Sequence, residues 1–333
     1  MILSISTWAR RATESSYRAL LRLLQRLDDH RDAHHLQLVR GWRHDRRATV
    51  IARVVTRPVP SEPERISGTR DRFDILQQRY FRFGAAGALA QLDLGDRTVS
   101  IRADRDGFLE VTVPVEQDSP PRIRVLYGPN ATAPVPVPLV GPHPDAQYAV
   151  VSDIDDTILD TELDAPLRRA RTMLVSDTAQ RAPFSGLAEF YEGLHAEGTN
   201  PFFYLSNSPW NLYEHLDALL DRHHLPTGPI LLRRVGSRRD GKQHKRRWLD
   251  RLLRDLRPLP FVLLGDTTRR DGAVYIDVAS RWPDRVRAVF LRTFDGRPIP
   301  AEVERRANSL GVPLVEHRDV ETARAEAKSL HLI

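Results

Sequence analysis

The sequence predicts a mixed α/β protein. A parallel sheet with flanking helices fills residues 148–333, preceded by a small β-rich, sandwich-like domain and an N-terminal amphipathic helix. Three observations lead there. From Tyr148 onward, apolar β-branched runs alternate with helical periodicity, which is the pattern of strand–helix–strand units. From Arg47 to Tyr127 the apolar runs are short and separated by Gly and Asp turns. Near the N-terminus, Tyr17, Leu20, Leu21, Leu24 and Leu27 recur at i, i+3, i+4 and i+7, one face of a helix.

In chain order, the helix spans about Thr13 to Asp29, with Arg11, Arg18, Arg22 and Arg26 largely on its other side. It belongs to a basic amphipathic segment, 1–46, and the expected fate of its stripe is docking on the chain's own domain. His30, His34 and His35 read as an exposed polar helix end rather than a metal site. The β-rich domain, 47–127, begins with the strand Ala48–Thr56 and a Pro-rich loop, then a short helix over 71–83 carrying Phe73, Leu76, Tyr80 and Phe83. Strands Leu89–Leu94, Thr98–Arg102, Phe108–Val113 and Arg122–Tyr127 follow. Asp104-Arg-Asp-Gly107 lacks the closing Glu of a calcium loop, so a hairpin turn is expected. Residues 128–147 hold six prolines and read as a linker. The last domain, 148–333, opens with strand Tyr148–Ser152. Helix Leu187–Glu197, strand Pro201–Leu205, helix Asn211–Arg222 and strand Ile230–Arg233 come next. A helix from Lys242 to Leu256, strand Phe261–Leu264, helix Ala273–Arg281 and strand Val286–Leu291 complete the alternation.

Composition narrows the function. The 333 residues carry 50 Lys+Arg and 44 Asp+Glu, a net charge of +6. Nearly all the excess lies before Thr49. Arginines are scattered among acids and no finger, basic zipper or aromatic RNA motif is present, so no nucleic-acid partner is expected. Zero cysteines exclude disulfides, thiolate metal sites and a thiol nucleophile. No apolar run approaches the ~18 residues of a membrane span, and the first residues lack the apolar stretch of an export signal. A cytoplasmic protein is expected, with peripheral contact to an anionic membrane compatible with the arginine-rich helix. G-x4-G-K-[ST] and G-x-G-x-x-G are both missing, which disfavours P-loop and dinucleotide-binding proteins.

Ligands of a parallel sheet bind beyond the carboxyl ends of its strands. The first strand exits into Asp153-Ile-Asp155-Asp156-Thr157, the second into Ser206-Asn207-Ser208, and the one ending at Leu264 into Gly265-Asp266 with Asp271 beyond. Clustered carboxylates repel one another unless a cation joins them, and an all-oxygen set suits Mg²⁺. In an extended segment the side chains of Asp153 and Asp155 face the same side. One can attack phosphorus while the other protonates the leaving group. A hydroxyl and a lysine complete a phosphate cradle. Lysine occurs only at 242, 245 and 328. The first two fall where a compact ammonium against phosphate is wanted.

VVSDIDDTIL (150–159), FSGLAEFYEGL (184–194), FYLSNSPWNLYEHL (203–216) and FVLLGDTTRRDGAVY (261–275) resemble the haloacid dehalogenase-type phosphatases. More narrowly, they resemble the lipin-related phosphatidate phosphatase catalytic domain of the yeast actin-patch protein and its bacterial relatives. The likeness covers about 148–295 and, more weakly, the β-rich domain. It implies a Rossmann-like, haloacid dehalogenase-type sheet and a Mg²⁺-dependent phosphatase working through an aspartyl-phosphate. It further implies a phosphorylated, lipid substrate such as phosphatidate. Asp153 is implied as nucleophile and metal ligand, and Asp155 as acid/base giving its carbonyl to the metal. Thr157 is implied as support for that loop, Ser206 as phosphate ligand, Asp266 as metal ligand and Asp271 as its support. Lys245 is implied as the phosphate lysine because HKRRWLDRLL resembles the family's lysine-led helix, with Lys242 as alternative. Gly272-Ala273 replaces the family's Pro-Glu, which bears on local substrate contacts. Trp210 is expected in the core. Two other readings are a phospholipid-binding module without turnover and a phosphatase of soluble or protein phosphates.

Overall fold

The computed structural model describes residues 34–56, 83–115, 120–127, 130–154, 158, 184–234, 240–267, 271–293 and 298–333. The helix expected over Thr13–Asp29 lies outside them, as does the one over 71–83 except for Phe83. The chain divides into two compact units, 1–39 with 50–137 and 40–49 with 138–333.

The first unit is antiparallel β. Strand β1 (His35–Leu38) runs against the later part of β3 (Arg47–Val55), from Leu38↔Ala52 to His35↔Val55. Strand β2 (Gly41–His44) and residues Arg47–Thr49 of β3 form a hairpin counted with the second unit. Strands β4 (Leu89–Asp93), β5 (Thr98–Arg102), β6 (Phe108–Pro114) and β7 (Arg122–Tyr127) complete the unit's long elements. β5, β4 and β7 make one sheet, while β6 pairs with β3 in the other. Period-two alternation does the sorting: Ala90, Leu92, Ile123 and Val125 are buried, whereas Gln91, Arg122 and Arg124 face outward.

The structure differs from the sequence expectation at two places. Residues 35–44 are strands, not the tail of a helical segment, so His35 begins β1 and does not end a helix. Four-residue strands with polar sequence carry no local signature, and their pairing is set by partners further along the chain. The turn at Asp104 is tight, its carboxylate accepting from the N–H groups of Asp106 and Phe108, both at 2.9 Å. Its arms nevertheless enter different sheets, so it is a crossover rather than a hairpin turn. In the Pro-rich stretch, β8 (Asn130–Ala131), β9 (Val135–Pro136) and β10 (Leu139–Val140) have two residues each. Proline cannot donate to a ladder, which keeps such strands short and at edges.

The second unit is built on a six-stranded parallel sheet. Strand β11 (Ala149–Ser152) is its centre, followed by helix α1 (Leu187–His195) and β12 (Phe202–Pro209). A 3₁₀ turn Trp210–Leu212 leads into α2 (Tyr213–Arg222), then β13 (Ile230–Arg233), α3 (Asp240–Asp255) and β14 (Phe261–Asp266). Helix α4 (Asp271–Arg281), β15 (Val286–Arg292), α5 (Ala301–Ser309), β16 (Leu314–His317) and α6 (Val320–Ser329) close the unit. The order across the sheet is β13-β12-β11-β14-β15-β16. Counted within the unit this is 3-2-1-4-5-6, the order of doubly wound sheets, whose ligand crevice lies where the winding reverses. Here that point is between β11 and β14.

Every residue of β11 and β14 is buried, as parallel strands covered on both faces should be. Phe190, Tyr191 and Leu194 of α1 pack on one side, with Tyr191 5.1 Å from the Phe202 ring. Leu249, Leu252 and Leu253 of α3 and Tyr275, Ile276 and Val278 of α4 are also buried. Trp42 is a member of this unit. It is 1 % exposed, meets Phe203 and Trp248 edge-on at 6.1 and 6.2 Å, and donates its indole N–H to Asp255. Gly41 is required because a Cβ would sit 2.2 Å from the Thr49 carbonyl oxygen. Among the described residues no helix is long and apolar enough to cross a membrane.

Candidate active site

Asp153 follows directly on β11, Asp266 ends β14 and Asp271 opens α4. Each is at most 1 % exposed, and one carboxylate oxygen from each lies within 4.8 Å of the others. Sheet pairing explains the juxtaposition. β11 and β14 are neighbours in register from Ala149↔Phe261 to Ser152↔Leu264, and the Asp153 N–H donates to the Leu264 carbonyl at 2.9 Å. Asp271 in the first turn of α4 gains from the positive end of the helix dipole. Gly265 gives it room: a Cβ there would lie 2.9 Å from the Cβ and Oδ2 of Asp271 and from the Tyr275 ring.

Lys245 of α3 reaches into this cluster. Its Nζ lies 2.8 Å from Asp153 Oδ1 and 2.6 Å from Asp271 Oδ1, at 5 % exposure. Burial opposes the ammonium, but Asp153 and Asp271 together outweigh it and hold its pKa above the ordinary lysine value. Three buried carboxyl groups and one buried ammonium thus share the site. The second oxygen of Asp271 is buried without a hydrogen-bond partner among the described residues. An acidic, oxygen-only cluster with an unused acceptor fits a hard divalent cation such as Mg²⁺.

The strand ends are held by buried donors from the flanking helices. The Tyr191 hydroxyl is 2.7 Å from Ser152 Oγ, which donates to the Asp153 carbonyl at 2.8 Å. The Tyr275 hydroxyl donates to the Leu264 carbonyl at 3.0 Å. Burial raises both phenols above the ordinary tyrosine value, with the nearby aspartates adding to it, so they stay protonated donors. Ser206 lies on β12, beside β11, and its Oγ accepts the Ser208 N–H at 2.9 Å. His244 of α3 directs Nε2 at the carbonyls of Ser206 (3.0 Å) and Leu231 (3.3 Å). Both acceptors are carbonyls, so Nε2 carries the hydrogen. Burial, then Lys245 and Arg233, pull the His244 pKa down to about 4 against its two hydrogen bonds, and the ring is neutral.

Of the residues singled out from sequence, Asp153, Lys245, Asp266 and Asp271 come together, and Ser206 stands on the adjacent strand. Asp155 and Thr157 lie outside the described residues, as does the side chain of Lys242. Trp210 is 2 % exposed and stacked 5.7 Å from Tyr213, a core position. At Gly272 a Cβ would meet Leu291 Cδ1 at 2.8 Å, so close helix–strand packing accounts for glycine there. Sequence reasoning did not single out His244. Its signal was a histidine beside the chosen lysine on a helix otherwise rich in arginine.

Residues 148–293 match the family model of the phosphatidate phosphatase APP1 catalytic domain. Every described site residue lies in that stretch. Phosphatidate phosphatase APP1 of Saccharomyces cerevisiae is 28% identical over 150 residues, 43% of this chain and 25% of that protein. An uncharacterized protein, C29B5.04c of Schizosaccharomyces pombe, is 26% identical over 151 residues, again 43% of this chain and 25% of its own length. The chain thus spans about a quarter of the length of these curated relatives. Among solved structures, a chain of a Pnkp1/Rnl/Hen1 complex matches with TM-score 0.33 and 16% identity, over 49% of this chain and 54% of that one. In sequence, the stretch 148–293 is phosphatidate phosphatase-like.

Proposed function

We propose that the second unit is a Mg²⁺-dependent phosphomonoesterase with a haloacid dehalogenase-type sheet, acting on a lipid phosphate such as phosphatidate through an aspartyl-phosphate. The observation that carries this is the buried set Asp153, Lys245, Asp266 and Asp271 at the carboxyl ends of β11 and β14, inside the stretch that matches a phosphatidate phosphatase catalytic domain.

Asp153 attacks phosphorus, forming an O–P bond as the bond to the leaving alkoxide breaks. Asp155, two residues on, gives that alkoxide its proton and then takes one from water. The water oxygen attacks the aspartyl-phosphate, returning the Asp153 carboxylate and releasing inorganic phosphate. Lys245 supplies positive charge to the phosphoryl oxygens and holds Asp153 in line for attack. Ser206, whose Oγ already accepts from Ser208, donates its O–H to a phosphate oxygen. Thr157 steadies the loop. Asp153, Asp266, Asp271 and the Asp155 carbonyl would hold the Mg²⁺, which when bound offsets charge on the phosphoryl group.

A substrate panel with Mg²⁺ tests the reading: phosphatidate, lysophosphatidate, p-nitrophenyl phosphate, phosphorylated peptides and sugar phosphates. Phosphate release fastest from phosphatidate supports it. Preference for soluble monoesters would keep the chemistry and overturn the lipid. Vesicle binding without phosphate release would overturn the enzyme.

A further inference from the structure

We propose that His244 is a positioning residue that sets the phosphate-binding hydroxyl of Ser206 against Asp153 by bridging the break in the β12–β13 ladder. The assignment rests on the phosphatase reading above and adds a residue to it.

The pairing of β12 with β13 is regular up to Leu205↔Leu231 and resumes at Pro209↔Arg233. Ser206, Asn207 and Ser208 therefore stand opposite Leu232 alone. Such a bulge redirects side chains and is common beside active sites. It also disturbs the ladder where Ser206 and Ser208 are buried, and buried backbone carbonyls need donors. His244 Nε2–H supplies one to both sides of the break, the Ser206 carbonyl at 3.0 Å and the Leu231 carbonyl at 3.3 Å. Arg233 holds the Asn207 carbonyl at 3.1 Å, and the Ser208 N–H closes on Ser206 Oγ at 2.9 Å. The bulge is thus fixed from three directions.

His244 and Lys245 are consecutive on α3, and successive helical side chains diverge by about 100°. One helix turn therefore grips two neighbouring strand ends. Lys245 holds Asp153 and Asp271, and His244 holds the carbonyl of Ser206. The distance from nucleophile to phosphate-binding hydroxyl is set by this pair of adjacent residues. Losing His244 leaves charge in the site unchanged and lets the Ser206 segment shift, so turnover should suffer more than substrate affinity. A misplacement of about 1 Å can cost about a hundredfold in rate.

The experiment is steady-state kinetics on the full chain with p-nitrophenyl phosphate and with phosphatidate in mixed micelles, in Mg²⁺, below the Tm of each variant. His244→Leu removes the donor and His244→Gln keeps an amide N–H near Nε2. We expect kcat of His244→Leu to fall about ten- to a hundredfold with KM changed less than about threefold, and His244→Gln to keep at least about a third of kcat. In a Ser206→Ala background, the further loss from His244→Leu should shrink, because the two act through one position. Wild-type kcat in folded His244→Leu, a loss as large in His244→Gln, or full additivity with Ser206→Ala would each overturn the assignment. If His244→Leu does not fold, His244→Asn, whose amide stops short of the carbonyls, takes its place in the same cycle. A wild-type protein inert on both substrates sinks the phosphatase reading itself. An active wild type with an indifferent His244 sinks only this inference.

Discussion

Replacing Lys245 by methionine keeps the length of the side chain and removes its charge. The ammonium lies 2.8 Å from Asp153 and 2.6 Å from Asp271, with 5 % of the side chain exposed. At an effective dielectric near 20, Coulomb's law gives each contact about 6 kcal/mol before solvation is counted. Desolvating the ammonium and the carboxylates takes back most of that, and removing one partner of a buried pair costs about 3–5 kcal/mol net. For a unit of about 200 residues each kcal/mol moves Tm by about 2–4 °C, so Lys245→Met should lower Tm by about 6–20 °C in EDTA. Millimolar Mg²⁺ should return more of that loss than it adds to the wild type, because the three carboxylates then lack their internal cation. Lys245→Arg keeps the charge but puts a longer, planar guanidinium where a compact ammonium is 5 % exposed. It should lose more than about a hundredfold in phosphate release while costing less stability than methionine. The assay is thermal unfolding by circular dichroism, with and without Mg²⁺, beside phosphate release. A Tm for Lys245→Met within about 2 °C of wild type, or an active Lys245→Arg, would refute the reasoning.

Two further outcomes follow from the same geometry. In Gly265→Ala the new Cβ would stand 2.9 Å from Asp271 and Tyr275, so stability should fall by about 1–3 kcal/mol and phosphate release at least about tenfold. A wild-type rate would mean that Asp271 need not stay where it is. The neutral His244 has its pKa lowered from 6.5 to about 4 by burial, with Lys245 on its own helix and Arg233 on β13 facing it. Between those values the unfolded chain binds the proton that the folded ring refuses. Stability should therefore rise with pH through this window at up to about 1.4 kcal/mol per unit and gain nothing from this group above 6.5. His244→Gln should flatten the slope measured by urea unfolding from pH 5 to 6.5. Equal slopes in both proteins would contradict a buried neutral ring.

The strands of the second unit were legible because a strand buried on both faces must be apolar throughout, and YAVVS, FFYL and FVLL advertise that. Their carboxylates were legible because an acid directly after such a run has one place to go, the carboxyl edge of the sheet. Other features depended on partners distant in sequence. HLQL and GWRH are strands only because β3 accepts them. Trp42 belongs with Phe203 and Trp248, more than 150 residues away. β12 was expected to end at Leu205 yet continues to Pro209 through a shift in register, and no local pattern announces a bulge. For the same reason His244 passed unnoticed: its importance lies in two carbonyls that only the fold brings within reach. LVEH, the sixth strand, is too short and too mixed to declare itself, and it forms because β15 offers an edge.

Asp153 is the proposed nucleophile. That role is tested most directly by phosphate release from phosphatidate in Mg²⁺ by the wild type and by Asp153→Asn, an isosteric change at a residue 1 % exposed. The expected result is steady release by the wild type, a phosphorylated aspartate at position 153 in acid-quenched samples, and a rate at least about a thousandfold lower in the variant. Equal rates in the two proteins would contradict that role.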